Sequence, residues 1–412
     1  MTLKASGRPA FLKYATATLF TCMIASVALF ISACGEDASG GLLTSTSSAT
    51  NDHPTTVLPV TTMTTSTTLP TLSPRQMAGQ RVIYSYSGLT PPPALISLIS
   101  RGEAAGVIFF ASNISTEAQT RSVIETLNEA AASPENPIEA PLLLMVDQEG
   151  GQVRRLPGEP LLSQKQIGLS ADPVAQAAEA GEAAGRNLRR LGMNVNLAPV
   201  LDVYREEGGF NDQYGRSYSD DPAVVSELGV AFIEAQQRIG VAATAKHFPG
   251  LGAATRSENT DLQPVTLSIA RTSLLTIDEY PYESAIRAGI ELVMLSWATY
   301  PAFDPELPAG LSPTIVQGEL RERLGFEGVT ITDALGAGAL ESYGADGRRA
   351  VLAAEAGVDL ILCASGDVSL GQEAMEAIET AYRDGTLDKS AFEASLQRIL
   401  ALRFSLAERP SD

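Results

Sequence analysis

Between residues 82 and 363 eight short apolar runs recur, at 82–86, 106–110, 142–147, 195–200, 242–247, 292–296, 329–333 and 360–363. They are nearly continuous in hydrophobicity rather than alternating, so each strand is expected to be buried on both faces. That pattern belongs to parallel sheets covered by crossover helices. The segments between them carry helical periodicity, at 174–190, 224–238, 269–287, 314–324, 348–356 and 371–383, and an amphipathic stretch at 389–406 would close the wall. Eight such units in sequence predict an α/β fold of the (β/α)8 TIM-barrel type, spanning residues 75–408 as a single domain. An open doubly wound sheet would want a Gly-rich phosphate turn after an early strand. Asp147-Gln148-Glu149-Gly150-Gly151-Gln152 lacks that spacing.

The first 74 residues read differently. Lys4, Arg8 and Lys13 precede an apolar stretch at 15–31 that ends in Ser32-Ala33-Cys34. A basic start, a short apolar core and small residues form a secretory signal, and the ending resembles the bacterial lipobox. Residues 1–34 are thus expected to be a lipoprotein signal peptide, with Cys34 lipidated and the protein extracytoplasmic, held on the cell membrane by its lipid anchor. A plain signal peptide and an uncleaved anchor are the alternatives. Residues 35–74 are rich in Thr, Ser and Pro and cannot bury enough apolar surface to offset ordering entropy, so a disordered linker is expected there. His53 falls inside it.

A formal net charge of −19 argues against a nucleic-acid partner. Three cysteines are too few for a disulfide framework, and Cys363 sits in an apolar run as a small core residue. His53 and His247 are the only histidines, and no Cys/His cluster has ligand spacing, so no metal site is expected.

In a barrel of this type, functional groups lie where the strands end. Those ends carry Asp147-Gln148-Glu149-Gly150-Gly151 with Arg154-Arg155 after it, Asn196 through Asp202, Lys246-His247-Phe248-Pro249-Gly250, Ser296-Trp297 and Thr332-Asp333-Ala334. The loop after the fourth strand adds Tyr214-Gly215-Arg216-Ser217-Tyr218. Carboxylates accept from hydroxyls, cations donate, and an aromatic face such as Trp297 covers the apolar side of a ring, so the mouth suits a small hydroxyl-rich ligand. Gly150-Gly151 is expected to let the backbone approach that ligand. Asp333 ends an apolar strand, where a carboxylate needs a strong reason to be. Asp202 could pair internally, Lys246-His247 could belong to a structural ion-pair network, and Arg216 could serve its own loop.

These motifs, together with Leu324-Gly325-Phe326-Glu327-Gly328-Val329, resemble the catalytic domain of glycoside hydrolase family 3, in its bacterial β-N-acetylglucosaminidase (β-N-acetylhexosaminidase) branch. The resemblance runs from about Leu72 to Leu406. It implies a single catalytic domain that acts as a retaining exo-glycosidase on terminal β-linked N-acetylglucosamine, with cell-wall or muropeptide sugars as substrates and no cofactor. It implies Asp333 as nucleophile, with Asp147, Arg155, Arg216, Lys246 and His247 holding the sugar hydroxyls. A monomer is expected.

The branch resembled carries an Asp-x-His proton-transfer dyad on the loop after strand five. Counting from Gly252 puts those places at Ser257 and Asn259, which do not titrate usefully near neutral pH. Leu251, Ala298 and Ala334 also stand where the family often has histidine or an acid. Three readings stay open: Glu258 or Asp261 is the acid/base, with Glu258 the residue assigned first; the chain is a surface-tethered carbohydrate binder with impaired catalysis; or it acts on activated glycosides that need little leaving-group protonation.

Overall fold

The computed structural model describes residues 71–409. The expected signal peptide, Cys34 and the linker as far as residue 70 lie outside the described residues. Ser73 caps a first helix, Pro74–Gly79, and Leu72 packs against the core, so the fold is already in place by residues 72–74.

Eight parallel strands follow, each near an expected run: β1 Val82–Tyr84, β2 Gly106–Phe109, β3 Leu143–Val146, β4 Val195–Asn196, β5 Ala242–Phe248, β6 Leu292–Leu295, β7 Val329–Thr332 and β8 Ile361–Leu362. Their order in the sheet is β7-β6-β5-β4-β3-β2-β1-β8. A parallel bridge between Ile331 and Leu360 joins the two ends of the row. The result is the (β/α)8 barrel.

Alternate residues of the strands serve two cores, which is why the runs are apolar throughout. Ile83, Ile108, Leu143, Met145, Val195, Met294, Ile331 and Leu362 fill the barrel interior. Val82, Tyr84, Val107, Phe109, Leu144, Val146, Val293 and Leu295 face the surrounding helices. Each fully buried aliphatic side chain contributes about 1.5–3 kcal/mol, so a charge at Ile331, which is wholly buried between β6 and β8, would break the interior.

The crossover helices start where the sequence supplies a cap. Asp172 and Asp221 accept backbone N–H groups ahead of Pro173–Leu191 and Pro222–Arg238, each with proline in its first turn. The helix expected at 269–287 is broken instead. A π turn, Leu274–Asp278, interrupts it before Tyr280–Arg287. Pro281 has no N–H to offer the preceding turn, so the segment restarts there. The helix at Thr314–Arg323 is likewise π-wound.

Candidate active site

The C-terminal ends of the strands surround a cavity of about 210 Å³. Ligand pockets for drug-sized molecules run to ~300–1,000 Å³, so this one suits a single small ring. Asp147, Arg155, Arg216, Lys246, His247 and Asp333 all line it, and Asp261 joins them. The expected site residues come together, except Glu258.

Charge on the cavity floor is held by pairing. Lys246 Nζ lies 2.8 Å from Asp147 Oδ1 and 2.7 Å from Glu149 Oε1. Arg216 grips Glu149 with two parallel bonds, Nε to Oε2 at 2.9 Å and Nη2 to Oε1 at 2.8 Å, and donates through Nη1 to Asn211. Burial alone would push the Glu149 carboxyl up, but the two cations outweigh it and hold it at about 2. Burial likewise works against the Lys246 ammonium, while Asp147 and Glu149 raise it above its ordinary value. Both cations therefore stay charged. Arg155 sits farther out, 4.0 Å from Asp147 and partly open to solvent.

His247 is oriented from behind. Asp202, wholly buried, lies 2.7 Å from His247 Nδ1 and also accepts from the backbone N–H groups of His247 and Leu251 and from the Asn211 amide. With Nδ1 carrying a proton toward Asp202, Nε2 is left to meet a ligand. The internal pairing allowed for Asp202 is what the structure has, and it serves the cavity.

Asp333 follows β7 directly, and its Oδ1 accepts from the Ala334 N–H at 2.7 Å. Ala334 is fixed in turn by Trp297, whose Nε1 donates to the Ala334 carbonyl at 2.9 Å. This corrects the expectation that Trp297 covers a bound ring. The indole is buried in the outer core, against Gly310, and does not line the cavity. Phe110 and Phe210 supply the aromatic wall instead.

Gly150 and Gly151 are also placed differently from expectation. They have φ of +111° and +55°, in a small hairpin with Val153–Arg154. A Cβ there would meet the Leu162 carbonyl oxygen at 2.3 Å and Ser163 Cβ at 2.5 Å. The glycines admit the 162–163 loop and not a ligand.

The loop after β5 separates the carboxylate candidates. Glu258 turns onto its own loop, accepting from Thr255 N and Oγ1 at 2.7 and 2.8 Å, and it does not line the cavity. Asp261 does. Its carboxyl is raised above the usual aspartate range by desolvation first and by the Asp333 charge second, with His247 and Arg216 acting the other way. The residue is exposed overall, so this desolvation comes from atoms crowding the carboxyl rather than from closure to water. The loop is pinned to the turn after Asp333: Gly338 N–H donates to the Asp261 carbonyl at 2.8 Å and Ala339 N–H to that of Thr260 at 3.0 Å. Asp261 thus reaches the cavity without any swing of the loop.

Glu149 stands inside the Asp147–Gly151 motif, where the sequence alone assigns it no role of its own. Its signal was its place two residues past Asp147, on the same face of an extended segment. Among the described residues no group of His, Cys, Asp or Glu gathers in a way that suits a metal ion.

A barrel mouth with this motif set can be compared with known proteins. The model of the glycosyl hydrolase family 3 N-terminal domain matches residues 87–402. The chain belongs to glycoside hydrolase family 3. It is 46% identical over 331 residues to a protein of Arthroderma benhamiae named an uncharacterized secreted glycosyl hydrolase, covering 80% of this chain and 93% of that one. It is 33% identical to a β-hexosaminidase of Stenotrophomonas maltophilia, covering 67% of this chain and 80% of the relative. Among solved structures, a family 3 β-N-acetylglucosaminidase from Paenibacillus sp. str. FPU-7 superposes with a TM-score of 0.76 at 34% identity. That match covers 82% of this chain and 63% of the Paenibacillus chain, so this chain spans under two thirds of that structure's length. The family 3 chain is β-hexosaminidase-like.

Proposed function

We propose that this protein is a retaining exo-glycosidase that releases terminal β-linked N-acetylglucosamine from cell-wall sugars. The observation that carries this reading is that two carboxylates, Asp333 and Asp261, line one single-ring cavity floored by paired Lys246, Arg216, Asp147 and His247. Hydroxyls of the ring are held by that floor, and contacts that strengthen at the oxocarbenium-like transition state lower the barrier. Asp333 attacks the anomeric carbon as the bond to the leaving oxygen breaks, and Asp261 gives that oxygen its proton. Asp261, now ionised, takes a proton from water, whose oxygen displaces Asp333 from the anomeric carbon. The raised Asp261 carboxyl suits the first half of this cycle.

The Cys34 lipobox and the Thr/Ser/Pro-rich stretch support a tethered, extracytoplasmic enzyme, for which muropeptide-like fragments are the cell-wall sugars within reach. A second reading, a tethered carbohydrate binder with impaired turnover, draws on Ser257 and Asn259 at the counted dyad positions. The two separate by incubation with a 5-fluoro-N-acetylglucosaminyl fluoride, which keeps the 2-acetamido group, and intact-mass measurement. A covalent adduct that disappears in Asp333→Asn is expected, because fluoride departs without an acid. No adduct at high reagent concentration would leave the binder.

A further inference from the structure

The end of the barrel opposite the single-ring cavity buries more positive charge than it balances. The last helix, Lys389–Ala407, lies across the N-terminal ends of the strands, and its Ile399, Leu402 and Leu406 join the interior core. Asp359, wholly buried just ahead of β8, accepts from Arg321 Nη2 and from Arg398 Nη2, each at 2.7 Å. Arg81, 1% exposed just ahead of β1, has no carboxylate partner. Its Nε donates to the Asp359 carbonyl at 3.1 Å and its Nη2 to the Val358 carbonyl, and it makes no ion pair among the described residues.

Three guanidiniums thus share one carboxylate, which leaves a formal surplus of two positive charges. Burial lowers the Arg81 guanidinium to about 10, with Asp359 working against that shift and Arg398 adding to it. Arg321 is lowered too, by burial first, and Arg398 again acts against its charge. Both stay charged at pH 7, and a charge held out of water without a counter-ion is costly.

A depression of about 530 Å³ opens beside this cluster, and Arg81, Ser395 and Arg398 line it. The Phe392 ring lies 4.8 Å from the Arg81 guanidinium and fixes its plane. Ser395 is 2% exposed, yet its hydroxyl has no hydrogen-bond partner. A buried helix serine ordinarily donates back to the carbonyl four residues earlier, so an unmatched one calls for an explanation. Ser395 and Arg398 are three residues apart, on one face of the helix. Arg398 spends Nε and Nη2 on Asp359. Its Nη1, the Arg81 Nη1 and the Ser395 hydroxyl are therefore donors without an acceptor among the described residues. Glu355 and Asp388 also line the depression, but both are exposed and engaged, with Arg348 at 3.9 Å and with the Ala391 N–H at 2.8 Å.

We infer that this depression binds a phosphate group, held by Arg81, Arg398 and Ser395. A phosphate monoester carries about −1.5 to −2 charge at pH 7 and three strong acceptor oxygens, which matches both the surplus charge and the unspent donors. A carboxylate, with a single charge, would leave half of the surplus. The rest of a monoester has room along Phe392 and Leu387. A ligand there bridges the last helix to the seam between β8 and β1, and so stabilises the closed barrel. The site lies at the far end of the strands from Asp333 and Asp261, so it stands or falls independently of the glycosidase reading.

The test is calorimetric titration of the full chain, in a chloride-poor zwitterionic buffer at pH 7, with inorganic phosphate and glycerol phosphate as probes. One bound anion per chain is expected, with a higher melting temperature at saturating ligand. Tighter binding of glycerol phosphate assigns the site to esters, and equal or weaker binding assigns it to free phosphate. Ser395→Ala should weaken the better probe by about tenfold. It should not lower the melting temperature of the ligand-free protein, because it removes an unmatched hydroxyl. Arg398→Gln should weaken binding further. No binding at millimolar phosphate, an affinity untouched by Ser395→Ala, or equal binding of chloride overturns the site. Displacement of phosphate by N-acetylglucosamine, which would put the anion in the barrel mouth, overturns it as well.

Discussion

Glu149→Gln tests whether the cavity floor is held electrostatically. The carboxylate is 2% exposed and makes two bonds to Arg216, at 2.9 and 2.8 Å, and a 2.7 Å contact to Lys246. Glutamine keeps the shape but offers one acceptor oxygen, and turns an N–H₂ toward the other cation. Holding the carboxyl at about 2 rather than 4.5 corresponds to about 3 kcal/mol of preference for the charged folded state. Removing one partner of a buried ion pair typically costs about 3–5 kcal/mol. Lys246 retains Asp147, so the lower end, about 3 kcal/mol, is expected at pH 7.

The sign with pH follows from the depressed carboxyl. Its stabilisation is complete above the unfolded value of 4.5 and is lost as pH falls toward about 2. Chemical denaturation of the wild type and Glu149→Gln, repeated between pH 7 and pH 2.5, should show a gap that narrows below pH 4.5. A gap under about 1 kcal/mol at pH 7, or one that stays constant to pH 2.5, would refute the claim that Glu149 anchors both cations.

Further outcomes follow from the other assignments. Asp261→Asn should slow hydrolysis of a disaccharide by about 10²–10⁴-fold while sparing a glycosyl fluoride, and should remove the alkaline limb of the kcat/KM profile, since the raised carboxyl donates only while protonated. Glu258→Gln should stay within about twofold of wild type in the same assay, its carboxylate being engaged with Thr255. Asp202→Ala strands the His247 Nδ1 proton and the backbone N–H groups of His247 and Leu251. A loss of about 3 kcal/mol in denaturation, with weakened sugar binding, is expected.

Much of this protein was legible from the strands alone. A strand sandwiched between barrel interior and helix layer must be apolar on both faces, so 82–86, 106–110, 142–147 and their successors announced themselves. Charged residues that interrupt such runs at their C-terminal ends stand out for the same reason, and Asp147, Lys246, His247 and Asp333 were found in that way. The helices expected from 174 and 224 start one and two residues earlier, at Pro173 and Pro222, because Asp172 and Asp221 cap them there. The break at Leu274–Asp278 was less visible, because the apolar periodicity continues through the π turn.

Side-chain direction in the loops was not readable. Trp297 follows a strand end as the polar site residues do, yet its indole has room only in the core, where it holds the Ala334 carbonyl. Glu258 and Asp261 are three residues apart with the same chemistry. The choice between them is made by a turn far along the chain, at Gly338 and Ala339, whose N–H groups fix the Thr260 and Asp261 carbonyls. Burial on two faces is a local pattern, and local sequence carries it. The direction of a loop carboxylate depends on hydrogen bonds from a distant segment, and those exist only once the barrel has closed.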